Sequence, residues 1–161
     1  MRLIYTKPKL KDLSQGSRIA FARQFRFMSQ NDVSDKLGLS GECKRRTMTR
    51  YEKGNRNPKD ERTRQIADIL NVNYNAIKNY DYKETIDVIY TLLWLEELIP
   101  NYEIDLSRVP SLYSNKEIIQ AFLDEWDKMR LKRKRKYISY EEYIEWKLNY
   151  TSEEIGRASC R

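Results

Sequence analysis

Histidine is absent from this chain of 161 residues, which removes Ser-His-Asp and Cys-His catalysis and every His-ligated metal site. Cysteine occurs twice, at Cys43 and Cys160, too few for a disulfide framework or a zinc site. Five glycines and four prolines leave no glycine-rich loop that could cradle a phosphate. No run of apolar residues is long enough to span a membrane. The short apolar patch Leu3-Ile4-Tyr5 lacks the h-region of a signal peptide, so the expectation is a soluble, cytoplasmic protein. What is plentiful points elsewhere. Lys, Glu, Leu and Ile favour helix, and an aromatic content of 12%, with three Trp and twelve Tyr, is too much packing material for a disordered chain.

Charge divides the sequence. The whole carries 31 Lys+Arg against 24 Asp+Glu, a net of +7. Residues 1–82 hold 18 Lys+Arg and 9 Asp+Glu, whereas residues 83–127 hold three Lys+Arg and ten acids. A basic module seeking a polyanion, followed by a module with another task, is the expected organisation. Residues 1–13 read as a basic arm carrying Lys7, Lys9 and Lys11, with an ordinary frayed terminus as the plain alternative. Residues 14–82 form the basic module, and 83–153 an acidic helical region for dimerisation or for binding a partner or effector. The stretch Ile155-Gly156-Arg157-Ala158-Ser159-Cys160-Arg161 reads as translated sequencing-adapter sequence, so 154–161 is set aside as a scar.

Five short helices are expected in the basic module. Ser17 caps the first, with Ile19, Ala22, Phe25 and Phe27 along one side. Ser29 caps a second, with Val33 and Leu37 at i, i+4 and Gly38 as its stop. A third runs from about Arg45 to Tyr51 with Met48 and Tyr51 inward. Turn chemistry at Gly54-Asn55-Arg56-Asn57-Pro58 precedes a fourth over Asp60–Leu70, and a fifth covers Tyr74–Tyr80. Beyond it, Ile86, Ile89, Tyr90, Leu93, Trp94 and Glu97 follow helical spacing up to Pro100. Tyr102–Leu106 is a candidate short strand. Ser114/Glu117 and Ser139/Glu142 are capping boxes for two last helices. These flank the run Lys132-Arg133-Lys134-Arg135-Lys136, read as an exposed hairpin loop or a phosphate- or membrane-binding patch. Trp94, Trp126 and Trp146 read as core.

Met28-Ser29-Gln30-Asn31-Asp32-Val33-Ser34-Asp35-Lys36-Leu37-Gly38-Leu39-Ser40 resembles the Ser-Gln-x-x-Leu-Ala-x-x-Leu-Gly-Val-Ser signature of the lambda-repressor-like, Xre-type helix-turn-helix family. Thr47-Met48-Thr49-Arg50-Tyr51-Glu52-Lys53-Gly54-Asn55-Arg56-Asn57-Pro58 is similar to that family's recognition helix and its Glu-x-Gly-x-Arg-x-Pro exit. Ile66-Ala67-Asp68-Ile69-Leu70-Asn71-Val72 looks like its fourth helix. The resemblance covers about residues 14–80 and implies an all-α fold: a five-helix, lambda-repressor-like DNA-binding domain followed by a small helical C-terminal region. Two departures stand out. Ser34 occupies a position where the family has a small alanine, and the turn Ser40-Gly41-Glu42-Cys43-Lys44 is longer by about four residues.

Affinity for DNA comes largely from neutralising phosphates, and Lys44–Arg64 holds Lys44, Arg45, Arg46, Arg50, Lys53, Arg56, Lys59, Arg62 and Arg64. A bare basic face is ordinarily just solvated; on helix-turn-helix spacing it becomes a DNA contact. Base contacts are expected from Arg45, Arg46, Thr47, Thr49 and Arg50, since arginine can bond the O6/N7 edge of guanine and threonine can meet a base or a thymine methyl. Phosphate contacts are expected from Ser29, Gln30, Lys44, Lys53 and Arg56. The resemblance implies a regulator, a repressor of a bacterium, phage or mobile element, binding double-stranded DNA as a homodimer. An antitoxin-like protein using helix 84–98 as its partner face is the second reading. The third is an enzyme holding Mg²⁺ on acids such as Glu96, Glu97, Glu103 and Asp105. A redox role for Cys43, beside three cations, is a minor alternative. No cofactor is expected.

Overall fold

Ser14, not Ser17, opens the first helix. Its side chain accepts from the Ser17 backbone N–H, and its own N–H donates to Asp12 at 2.9 Å. Both serines have helix-starting chemistry, but Ser17 is buried one turn inside, its hydroxyl 3.1 Å from that of Ser14. From there α1 runs over Gln15–Phe25. The computed structural model describes residues 7–41, 43–99 and 116–151, which hold eight helices and no strand. Outside them lie Leu3-Ile4-Tyr5, the Tyr102–Leu106 strand, the Ser114 cap, Glu103 and Asp105, and the tail 154–161 with Cys160. Contacts divide the chain into two units, Met1–Asn79 and Tyr80–Arg161. No helix among the described residues is long and apolar enough to cross a membrane.

In the first unit α2 covers Gln30–Lys36, α3 Lys44–Glu52, α4 Asp60–Leu70 and α5 Tyr74–Ile77. The helix expected to reach Tyr80 stops early, because Lys78 turns to extended backbone at ψ 163°. α1 packs on α3 and α5, while α2 packs on α3 and α4. Ile19, Phe21, Val33, Met48, Ile66 and Leu70 lie at the centre, each at most 1% exposed. Pro8 and Leu10 are buried while Lys7, Lys9 and Lys11 are exposed, so this part of the arm is pinned by alternate residues.

Phe27 is not part of the apolar face of α1. It lies beyond the helix in left-handed backbone at φ 55° and is 76% exposed. Its N–H reaches Gln24 O and the Met28 N–H reaches Arg23 O, a Schellman closure with phenylalanine where glycine is the usual choice. Phe21 takes the core place instead. The same closure ends α2 at Gly38 (φ 72°), α4 at Asn71 (φ 50°) and the seventh helix at Lys136 (φ 61°).

The second unit is a helical trio: α6 over Thr85–Leu98, α7 over Lys116–Lys134 and α8 over Tyr140–Leu148. Its core joins Ile89, Tyr90 and Trp94 to Ile119, Phe122 and Trp126, with Ile144 and Leu148 from α8. Phe122 stacks on Trp126 at 5.3 Å between ring centroids, and the half-buried Trp146 meets Tyr150 edge-on at 5.4 Å. The Ser139/Glu142 capping box forms as expected. The basic run is a loop only in part: Arg135 and Lys136 form the exposed turn after α7. Lys132, Arg133 and Lys134 complete the last turn of α7, where cations meet the negative end of the helix dipole.

Candidate nucleic-acid interface

Residues 37–43 separate α2 from α3, and the third helix begins at Lys44 behind Cys43, which is exposed and makes no side-chain cap. Two contacts hold that helix start on α2 despite the long turn. Ser34 is fully buried, with Oγ 2.8 Å from Gln30 O and 3.0 Å from Lys44 O, so its one proton is shared between two carbonyls. Lys44 Nζ pairs with Asp35 Oδ1 at 2.6 Å. The departure from alanine at Ser34 thus gives a hydrogen bond across the turn that the alanine could not make.

The far end of α3 is fixed by a part-buried polar network. Arg23 grips Glu52 with both Nε (2.6 Å) and Nη2 (3.0 Å), and its Nη1 donates to Met28 O at 2.7 Å. Gln30 Nε2 donates to the same carboxylate at 2.8 Å, and Gln30 Oε1 lies 3.0 Å from Thr49 Oγ1. Charge-assisted, bidentate pairs of this kind are the strong hydrogen bonds of proteins. Gly16 completes the joint. A Cβ there would come within 2.3 Å of Tyr51 O and 2.7 Å of Glu52 O, so α1 can approach the end of α3 only through a glycine.

Met48 and Tyr51 therefore point inward, 0% and 6% exposed. Directly opposite, Arg46, Arg50 and Lys53 recur at i, i+4, i+7 and are exposed, with Arg45 exposed on one flank and the half-buried Thr47 on the other. No described carboxylate pairs with any of these cations. Of the other expected contacts, Thr49 and Gln30 face each other inside the network, with the Thr49 hydroxyl also 3.0 Å from Arg45 O. Ser29 caps α2 by accepting from the Asp32 N–H at 3.1 Å, and Asp32 in turn accepts from the Ser29 N–H at 2.6 Å. The Ser29 hydroxyl and backbone N–H hold the Asp32 carboxyl below its usual 3.8. That box puts a carboxylate beside the helix start where a phosphate was expected. Arg56 is exposed and its N–H donates to Arg50 O at 3.3 Å.

Three members of the basic segment serve the fold. Lys44 is the ion pair just described, Arg62 Nη1 reaches Leu37 O at 3.4 Å behind α2, and Arg64 lies 3.9 Å over the ring of Tyr74. Arg45, Arg46, Arg50, Lys53, Arg56 and Lys59 remain turned to solvent.

Of the acids considered for Mg²⁺, Glu96 and Glu97 are engaged otherwise. Lys147, only 5% exposed, pairs with both Glu96 and Glu97, and Arg130 Nε lies 3.2 Å from Glu96. Tyr143 donates to Glu96 at 2.8 Å and accepts from Trp126 Nε1 at 2.9 Å. Burial, reinforced by the Glu96 charge, pushes the Tyr143 phenol well up. Among the described residues no group of three His, Cys, Asp or Glu is placed to hold a metal ion. Nothing in the pattern of α8 singled Lys147 out; its acidic partners lie about fifty residues earlier in the chain.

A family model described as a helix-turn-helix domain matches residues 16–81. No curated protein and no solved structure matches the chain. The N-terminal half of the chain is thus a helix-turn-helix domain of the lambda-repressor-like, Xre type.

Proposed function

We propose that this protein is a sequence-specific, DNA-binding transcriptional regulator, a repressor of a bacterium, phage or mobile element, acting as a homodimer. The observation that carries the reading is the outward row Arg46, Arg50 and Lys53 on a helix locked in place behind its opposite face. Arg46 and Arg50 meet base edges, Arg45 and Thr47 flank them, and Lys53 and Arg56 neutralise phosphates. Thr49 acts with Gln30 at the edge of the reading face, its methyl available to a thymine while its hydroxyl holds Gln30. At the start of α2 the contact comes from the backbone of Gln30 more than from the capped Ser29 hydroxyl. Lys44 divides its charge between Asp35 and the nearest phosphate.

One recognition helix covers too little DNA for useful specificity, which favours two copies on a two-fold site. The unit from Tyr80 onward is the natural place for pairing. The antitoxin-like reading has less support, because the apolar side of α6 is already occupied by Ile86, Ile89, Leu93 and Trp94 in the core of its own unit. Selection of bound fragments from a genomic library tests the proposal. A single enriched motif is the expected result, and retention of all fragments alike at moderate salt would contradict sequence-specific reading.

A further inference from the structure

The basic end of α7 is unexplained by its own unit. Lys128, Lys132 and Arg135 are exposed, and with Leu131 they fall at i, i+3, i+4, i+7 along the side of the helix turned away from Trp126. At 1.5 Å per residue this ridge is about 10 Å long. Lys136 extends it, fixed in left-handed backbone by the bonds from its own N–H to Arg133 O and from the Tyr137 N–H to Lys132 O. No described carboxylate pairs with these four cations. The helix dipole accounts for cations in the last turn, but like charges four apart, as in Lys128/Lys132, oppose the helix.

We infer that this ridge is a second contact for the phosphate backbone of the DNA bound by the helix-turn-helix unit. The inference rests on the DNA-binding reading above. Charge complementarity selects the occupant: four exposed cations, none paired with a described carboxylate, fit a polyanion. A lipid surface is disfavoured because an interfacial helix needs a free apolar face, and that of α7 is spent on the core through Ile119, Phe122, Leu123 and Trp126. Tethered to the first unit, even weak phosphate contacts act at high effective concentration and raise the affinity of the whole chain.

The test is a salt titration of the full chain on a mixed-sequence duplex, followed by fluorescence anisotropy. It is run beside a variant carrying Lys128→Gln, Lys132→Gln, Arg135→Gln and Lys136→Gln. Each phosphate contact contributes about 0.9 to the slope of log K against log salt, so the variant's slope is shallower by about 2 to 3, equally for all sequences. A variant with arginine at 128, 132 and 136 keeps the full slope. Should the four-fold variant lose helicity by circular dichroism, Lys132→Gln with Arg135→Gln replaces it, with a loss of about 1 to 2. An unchanged slope overturns the inference while leaving the DNA-binding reading intact, and so does an unchanged slope accompanied by lost binding to phosphatidylserine vesicles. A full chain that binds no DNA at low salt overturns both.

Discussion

At the residue scale, two backbone positions set the recognition unit and neither follows from hydrophobic patterning. Gly16 stands where any side chain would meet carbonyl oxygens of α3. Gly16→Ala therefore forces α1 and α3 apart at a cost of about 1–3 kcal/mol, typical of overpacking. A lowered urea midpoint together with weaker DNA binding is the expected pair of results. Phe27 is the opposite case, a bulky residue in left-handed backbone with an exposed ring. Relief of about 1–2 kcal/mol of backbone strain outweighs the extra entropy of an unfolded glycine, so Phe27→Gly raises the urea midpoint; a fall would show that the ring's contacts outweigh the strain.

The element scale separates what could be read from the sequence from what could not. The bounds of α4 and the Ser139/Glu142 box were legible because local signals suffice: an acidic first turn, apolar spacing and a capping pair. Ser29 was legible as a cap, but its partner Asp32 was not, since a box is ordinarily sought with Glu or Gln at that place. The cap of α1 is Ser14 and not the expected Ser17, which is buried inside the first turn, and burial is not carried by sequence spacing. In the run Lys132–Lys136 the first three residues are helix and the last two turn, a division that charge alone does not mark, since it does not distinguish a solvated turn from a dipole-stabilised helix end. Acid sensitivity belongs to this scale. Asp12 and Asp32 sit at the starts of α1 and α2, and hydrogen bonds to serine hydroxyls hold both carboxyls below 3.8. A depressed folded pKa gives stability that is present above 3.8 and lost as pH falls through the lower folded value. Asp32→Asn is thus less stable than the parent at neutral pH, and the gap narrows on acidification. A gap that widens instead would contradict the capping role.

The polar joint of α1, α2 and α3 is likewise invisible to local pattern, because Arg23 and Glu52 are 29 residues apart. Their side chains are only 11% and 8% exposed, so Glu52→Gln strands a nearly buried arginine charge. A loss on the order of 3–5 kcal/mol is expected, measured by chemical denaturation, and a loss under about 1 kcal/mol would mark the pair as solvent-screened.

At the scale of the whole molecule, contacts divide the chain between Asn79 and Tyr80, and the second unit folds two of its acids into a polar cluster. Glu96 and Glu97 are neutralised by Lys147 and Arg130 inside a core with its own aromatic stack. A fragment beginning at Tyr80 is expected to stay helical and to unfold cooperatively; a random coil by circular dichroism would mean that its faces need the first unit.

The proposed function assigns the reading of DNA to the outward face of α3. The most direct measurement is the affinity of the full chain and of Arg46→Ala, with Arg45→Ala, Thr49→Ala and Arg50→Ala beside it, for duplexes differing at single positions from the selected operator. Met48→Ala serves as the structural control, with an expected loss of about 2–5 kcal/mol in stability. A base-reading arginine, once removed, loses its preference at one position, worth about 1–3 kcal/mol of discrimination or up to roughly a hundredfold. That outcome is expected for Arg46 or Arg50 with the thermal midpoint unchanged. A phosphate contact would instead weaken all sequences equally. If none of the four substitutions alters affinity or preference, α3 is not the reading helix and the proposed function is wrong.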